Sequence, residues 1–376
     1  MSLSDHTLAD VDFHRTTRRY PRPIGWNAKI GPHGQNRDLI ACVLTTDQGA
    51  TGWGYCGENE EEIRQFIGRP ISDLIDPDVG TPLEARCLDI ALHDLAGKIL
   101  DLPVWKMLGG KGGQTVPIYT GAIYFDDLNP NGDDLGLDAI IASCEQDAAD
   151  GHAHFKLKIG RGFKWMDKEV GDARDVEVTK LVREHYPDAK ILVDANDGYT
   201  PEGICTYLEK AASCDFYWVE EPFEETQQGL TLLRSTLDRV SPHTLVADGE
   251  ARPAERTVDP PGPYGKWSGD HLEELYALCE RNLIDVLLMD VGATGFTAWR
   301  EIMPRLLAIG AQGSPHAWSE PFKSYYAAQI GGGYGGVPIV EGVPGHVDGV
   351  DASDYVIKDG LLTLPDTPGF GMNLCL

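Results

Sequence analysis

Two lysines separated by one residue, Lys156-Leu157-Lys158, open an ordered series of polar residues: Asp194-Ala195-Asn196, Glu220-Glu221-Pro222, Asp248-Gly249-Glu250, Asp290, His316 and Glu341. Each piece alone has a plain structural use, since a carboxylate after a strand commonly caps the next helix. Taken together, the types make a chemical set. Asp194, Glu220 and Glu250 form an all-oxygen cluster suited to a hard octahedral cation, Mg2+, with water or substrate completing its coordination. No thiolate or second imidazole stands among them, which disfavours zinc. Such an ion takes a substrate carboxylate and stabilises the second negative charge that forms when the adjacent carbon loses its proton. Lys156 and Lys158, two apart on a strand, face the same side. One ammonium beside another and beside Mg2+ has its pKa lowered, so Lys158 is the candidate base and Lys156 the group that holds the carboxylate. Asp290 can orient His316 as a second acid–base pair. Glu341, if kept protonated by anionic neighbours, donates a hydrogen bond to a developing enolate oxygen.

These residues need a scaffold that gathers them. Short apolar or β-branched runs at 116–124, 155–159, 191–193, 217–219, 244–247, 286–289, 311–314 and 339–340 alternate with helical stretches such as 173–184, 272–280 and 297–307. Eight strand-like runs separated by helices predict an α/β protein with a (β/α)8 barrel. The polar series follows the second to eighth runs, at the carboxyl ends where active sites of that fold sit. No Gly-x-Gly-x-x-Gly follows a first strand, so a dinucleotide site is not indicated. The glycine-rich stretch 331–336 follows a helical run and reads as a flexible connection. Ahead of the barrel, a strand at 39–44 precedes Thr81-Pro82-Leu83-Glu84, a capping box opening a helix with Leu88, Leu92, Leu95 and Ile99 on one face. This part reads as a small α+β domain.

Composition narrows the partners. Of 376 residues, 32 are Lys or Arg and 59 are Asp or Glu, a formal charge of −27 that argues against nucleic acid or an anionic membrane. The apolar fraction of 42% supports a folded core. The 8 cysteines are scattered without metal spacing and read as reduced thiols. Neither a secretion signal nor a run of 18 apolar residues is present, so a cytoplasmic location is the default expectation.

The ordered set resembles the enolase superfamily, in its mandelate racemase branch. The matching text is Lys156-Leu157-Lys158-Ile159-Gly160, Val193-Asp194-Ala195-Asn196, Trp218-Val219-Glu220-Glu221-Pro222, Gly249-Glu250, Asp290, His316 and Glu341. It is joined by Leu88-Asp89-Ile90-Ala91-Leu92-His93-Asp94-Leu95 near the start and Asp359-Gly360 through Pro368-Gly369 near the end. The resemblance implies abstraction of the proton alpha to a carboxylate, giving a metal-stabilised enediolate. It also implies an N-terminal α+β capping domain (1–125), a barrel catalytic domain (126–350) and a C-terminal segment (351–376) that returns to the cap. Cap loops at 20–34 and 53–62 then set specificity, offering Arg22, Trp26, Asn27, His33 and Tyr55; with Asn196, Trp26 and His33 are the expected substrate contacts.

Three departures stand out. Asp248 precedes Glu250 and either can be the third ligand, the family match favouring Glu250. The 251–270 stretch, with Pro253, Pro260, Pro261 and Pro263, is long, and reads as a cover for the site, a subunit contact or a surface excursion. The text after Asp290, Val291-Gly292-Ala293-Thr294-Gly295, is short for the branch. The expected activity is that of a Mg2+-dependent acid-sugar dehydratase in a homo-oligomer, Lys158 or His316 removing the alpha proton and His316 or another acid assisting loss of the beta hydroxyl. A racemase, epimerase or cycloisomerase of a 2-hydroxy carboxylate is the alternative, and a non-catalytic acid-sugar binder the second. No nucleic acid or membrane partner is expected.

Overall fold

Inward and outward residues alternate along much of strand β1 (Leu8–Ile24), which pairs antiparallel with β2 (Gly34–Thr46), and β2 pairs with β3 (Thr51–Tyr55). Helix α1 (Asp89–Leu100) crosses β3 so closely that a Cβ at Gly52 would lie 2.5 Å from the Leu95 backbone. Leu88, Leu92, Leu95 and Ile99 then bury against Leu8, Val11, Cys42 and Leu44. The chain before α1 departs from the expected capping box. Residues Leu83–Leu88 are 3-10 helix without a side-chain cap. The Thr81 hydroxyl donates instead to Asp89 at 2.9 Å, and Asp89 also accepts from the Thr297 backbone at 2.8 Å. Thr81 is thus drawn into a clamp between α1 and the barrel helix α2 (Phe296–Ala308). In this computed structural model the described residues are 2–56, 60–129, 135–250 and 270–375. The stretch 251–269, most of the long connection noted above, lies outside them.

Among the described residues, eight parallel strands follow: β4 (Thr115–Ile123), β5 (Phe155–Lys158), β6 (Ile191–Asp194), β7 (Phe216–Glu220), β8 (Leu245–Asp248), β9 (Val286–Leu287), β10 (Gln312–Gly313) and β11 (Val340–Gly342). Each pairs with the next as far as β10, and β11 pairs with β4. Between β10 and β11 the Ser314 hydroxyl donates to the Ile339 carbonyl at 2.7 Å, closing the ring. Tyr119, Leu192, Trp218, Ala247, Val286, Leu288 and Ile339 cluster inside it as a packed layer. Alternate residues such as Leu157, Val193 and Val219 face the helices in the larger core.

Strand pairing moves the boundaries expected at 125 and 350. Thr115–Ile123 already belongs to the ring, and His346 and Val347 pair with Arg19 and Arg18 of β1. The tail then reaches the cap: Trp53 Nε1 donates to the Met372 carbonyl at 3.0 Å, and the Phe370 amide donates to Asp94 at 2.9 Å. The glycine run is also corrected. Gly331, Gly332 and Gly333 lie in the last turn of α3 (Pro321–Tyr334), where a Cβ at Gly333 would come within 2.4 Å of Leu108. Close helix packing needs those glycines, not flexibility. The 8 cysteines are free thiols, and among the described residues no helix is long and apolar enough to cross a membrane.

Candidate active site

The period-two alternation that buries Leu192 and Trp218 inside the ring carries Asp194 and Glu220 to the same face one step further on. Lys156 and Lys158 on β5 and Glu341 on β11 share that phase. Lys156 Nζ is the hub: it lies 2.7 Å from Glu220, 2.9 Å from Glu341 and 3.2 Å from Asp194. Lys158 Nζ pairs with Asp194 and donates to Asn196 Oδ1 at 2.9 Å, so Asn196 does reach the site. Across the mouth, His316 Nδ1 lies 3.0 Å from Asp290 Oδ2, and its Nε2 lies 3.2 Å from Glu250 Oε1 and 3.5 Å from Glu341 Oε2. The short segment after Asp290 forms the turn Val291–Thr294, whose amides are capped by Asp290 itself.

Alternation also separates the two acids after β8. Ala247 points into the ring, so Asp248 points away from it, where its Oδ2 is buried without a partner. Gly249, with φ 107°, takes a left-handed conformation and returns the next residue to the mouth, which puts Glu250 beside His316. Regular strand geometry would have placed Asp248 and Glu250 on one face; the glycine breaks it.

Burial favours a neutral amine at Lys156, yet Glu220, Glu341, Tyr119 and Asp194 hold it charged well above the usual lysine range. Burial pushes the Glu341 carboxyl up, but Lys156 and His316 overcome this and hold it below its ordinary value. The expected protonated Glu341 is therefore not what these contacts support: Lys156 beside it, foremost, favours the carboxylate. Asp290 is likewise buried, and Lys323 and His316 hold it well below the carboxylate range. An anionic Asp290 fixes the proton on His316 Nδ1 and leaves Nε2 facing the mouth.

As the side chains stand, no three carboxylate, imidazole or thiol groups among the described residues close on one point. Lys156 bridges Asp194 and Glu220, while Glu250 is turned to His316. The donor chemistry nonetheless fits a hard cation. Three carboxylates meet at the ring mouth, and Glu250 keeps Oε2 buried with no hydrogen-bond partner. Asp194, Glu220 and Glu250 are the residues that would hold Mg2+.

Cap residues reach the mouth in a way the sequence did not disclose. Tyr20 stacks on Trp318 at 5.6 Å, Tyr124 lies 4.9 Å from Trp318, and His33 packs edge-on against Tyr124 at 4.8 Å. The Lys158 ammonium sits 5.2 Å over the Tyr124 ring. Trp26 instead packs at a tilt against Trp165, ring centroids 4.5 Å apart, and lines a groove with Leu128 and Met166. Arg22 pairs with the buried Asp147, Asn27 accepts the amides of Lys29 and Ile30, and Tyr55 lies against Phe322. Tyr20, Tyr124 and Trp318 were legible only as apolar strand or loop residues. Burial marks Tyr20 and Tyr124, with the half-buried Trp318 packed against both.

Gly121 on β4 makes room for Glu341: a Cβ there would lie 2.3 Å from Glu341 Oε1. Glu341 is pinned by Lys156 and by the Ala317 amide at 3.0 Å, so it cannot swing aside freely. Gly121→Ala is expected to cost about 1–3 kcal/mol of stability by overpacking. Activity should fall at least about tenfold, because 1.4 kcal/mol off optimal positioning is a factor of ten in rate. Thermal unfolding and steady-state turnover check both.

A family model described as Enolase C-terminal domain-like matches residues 139–252 and 268–375. D-galactarolactone cycloisomerase of Agrobacterium fabrum is 24% identical over 402 aligned residues, covering 99% of this chain and 94% of that protein. D-xylonate dehydratase of Haloferax volcanii is 24% identical, over 77% of this chain and 66% of its own. Among solved structures, a Geobacillus sp. galacturonate dehydratase complexed with D-galacturonate and 5-keto-4-deoxy-D-galacturonate superposes with a TM-score of 0.86 at 29% identity, over 99% of this chain and 95% of that one. A magnesium complex of a mutant Geobacillus sp. galacturonate dehydratase gives a TM-score of 0.88 at 28% identity, over 99% and 93%.

Proposed function

Because the chain belongs to the enolase C-terminal domain-like family, among the mandelate racemase and muconate lactonizing enzymes, we propose that it is a magnesium-dependent acid-sugar dehydratase. The observation that carries this reading is the pair of proton-transfer groups on opposite sides of one carboxylate-lined mouth. Lys158 lies on the Asp194 side and the Asp290–His316 pair on the Glu250 side. Support for the substrate class comes from the relatives named above, which include dehydratases of xylonate and galacturonate.

When bound, Mg2+ supplies charge stabilisation at the substrate carboxylate as the alpha carbon becomes electron-rich. Lys156, kept charged by its buried carboxylates, holds the substrate carboxylate through Nζ. Lys158, acting as the free amine, takes the alpha proton at Nζ, and the electron pair of that C–H bond moves toward the carboxylate. The pair then returns to form the Cα–Cβ double bond as the Cβ–O bond breaks, and His316 Nε2 gives its proton to the departing hydroxyl, releasing water. The enol so formed becomes a 2-keto-3-deoxy acid. Tyr20, Tyr124 and Trp318 wall the mouth and exclude solvent from the charged groups.

The test is a panel of acid sugars and a lactone in deuterated water with Mg2+, followed by NMR of recovered substrate and product. Deuterium at the alpha carbon with net formation of a keto acid supports dehydration. Exchange with inversion and no keto acid points to a racemase, and lactone opening to a cycloisomerase. His316→Asn separates the two proton transfers: alpha exchange should persist while keto-acid formation falls about 100-fold or more. Chelation of divalent cations should remove both. Loss of exchange in His316→Asn with exchange intact in Lys158→Ala would reverse the roles of the two residues.

A further inference from the structure

We propose that Lys323 is a positioning residue for the dehydration step, the group that fixes the Asp290 carboxylate and through it the ring of His316. The inference rests on the dehydratase reading and deepens it. Lys323 stands in the first turn of α3, and its largely buried ammonium meets two separate segments at once. Nζ lies 3.2 Å from Asp290 Oδ2, 3.3 Å from Asp290 Oδ1, 3.2 Å from Glu320 Oε2 and 3.3 Å from the Trp318 carbonyl. It thus ties the turn after β9 to the loop after β10 that carries His316.

The backbone of His316 needs no such tie. Its amide donates to the Met289 carbonyl at 3.1 Å, and its carbonyl accepts from the Val291 amide at 2.9 Å. Strand pairing leaves open the rotation of the imidazole, and Asp290 Oδ2 settles it by accepting from Nδ1 at 3.0 Å. Oδ1 of the same carboxylate is held by the Gly292 and Ala293 amides at 2.9 and 2.7 Å. A carboxylate tethered at one oxygen still turns about it. Among the described residues, Oδ2 has one partner besides His316, and that partner is Lys323. The ammonium therefore fixes the carboxylate plane against which the imidazole is aligned.

The chain around the ammonium is shaped to admit it. A Cβ at Gly292, in the turn after Asp290, would lie 2.6 Å from Lys323 Cε and 3.0 Å from Nζ. Ser319, with φ 89°, holds a left-handed conformation that residues other than glycine rarely take. That strained residue stands between Trp318 and Glu320, the two that Lys323 grips. Removing the ammonium loosens the carboxylate and this loop together. Lys158 is not reached by the change, its hydrogen-bond partners being Asp194 and Asn196 on the other side of the mouth.

The test measures alpha-proton exchange and keto-acid formation separately in Lys323→Met, with Mg2+ and an acid sugar that the native protein converts. The kcat for keto acid should fall about 30-fold, while KM and the exchange rate stay within about threefold of native, the signature of a displaced acid with binding intact. Methionine leaves Asp290 and Glu320 without their counter-ion, a change that can unfold the chain. Gly292→Ala reaches the same contact by another route: its Cβ displaces the flexible end of Lys323 and removes no charge. Keto-acid formation in Gly292→Ala should fall about tenfold, with exchange again within about threefold of native. Equal losses of exchange and keto acid in either folded variant overturn the inference and make Lys323 a structural tie. Native keto-acid formation in either folded variant overturns it as well, and leaves dehydration in place. Absence of both exchange and keto acid from the native protein across the whole panel overturns the dehydratase reading itself, and this inference with it.

Discussion

Lys158→Ala should abolish alpha-proton exchange, with turnover falling about 10²–10⁴-fold, the range a positioned general base supplies. The side chain is buried at the mouth, and its ammonium has two partners, Asp194 and Asn196 Oδ1. Removing it does not strand Asp194, because Lys156 still lies 3.2 Å away and the Asn196 amide donates to Oδ1 at 3.0 Å. The thermal midpoint should therefore change little, which separates a chemical defect from a folding one. A further readout sharpens the assignment: small primary amines added to Lys158→Ala should restore part of the exchange, since the cavity left is the size of the missing propylamine. A variant that exchanges the alpha proton at the native rate would remove Lys158 from the mechanism. Lys158→Arg should not rescue, because a guanidinium stays protonated and is no base near neutral pH.

The barrel was readable because its code is redundant. From the second ring strand on, each run of apolar residues has a polar residue where it ends, and the alternation that fills the ring with Tyr119, Leu192 and Trp218 also aims Lys156, Asp194 and Glu220 into one mouth. One rule, period two, thus yields both packing and site. The parts that were not readable are those where a single residue overrides the rule. Gly249 turns Glu250 inward by adopting φ 107°, and no pattern in the chain states that backbone angle. Thr81 left its capping role because Thr297, far along the chain, offered a better partner together with Asp89. Glu341 was expected to be protonated from its acidic neighbours, whereas the deciding group is the Lys156 ammonium that the fold brings against it. Arg18 is one of three nearby arginines, Arg15, Arg18 and Arg19, and nothing in the sequence sets it apart from the other two. Only the register of β1 shows that Arg18 faces inward while Arg19 pairs with Asp348 at the surface.

The same mixture of strand register and buried charge sets the cost of Arg161→Met, a loss of about 3–5 kcal/mol. Arg161 is fully buried just beyond β5, three residues after Lys158. Its Nη2 donates to Asp127 at 2.6 Å, its Nη1 to Asp175 at 2.7 Å, and its Cζ lies 4.3 Å over the Phe125 ring. Asp175 in turn accepts from the Gly160 amide and the Tyr199 hydroxyl, both at 2.7 Å, so the guanidinium holds the turn that ends β5. Methionine nearly refills the volume but leaves two buried carboxylates facing each other across it, and Arg174, 3.3 Å from Asp127, compensates only one. Truncating one partner of a buried ion pair is costly for that reason, whereas removing the whole set is not. The combination Asp127→Asn, Arg161→Met and Asp175→Asn should therefore recover part of the stability that Arg161→Met alone loses, measured as the shift in calorimetric midpoint. Activity should follow a different course. Because Arg161 also donates to the Lys158 carbonyl at 3.3 Å, the combined variant should regain its fold before it regains its rate, the lysine no longer being fixed at the end of its strand. Equal midpoints for the native chain and Arg161→Met would show that the aspartates are stabilised by something other than this guanidinium.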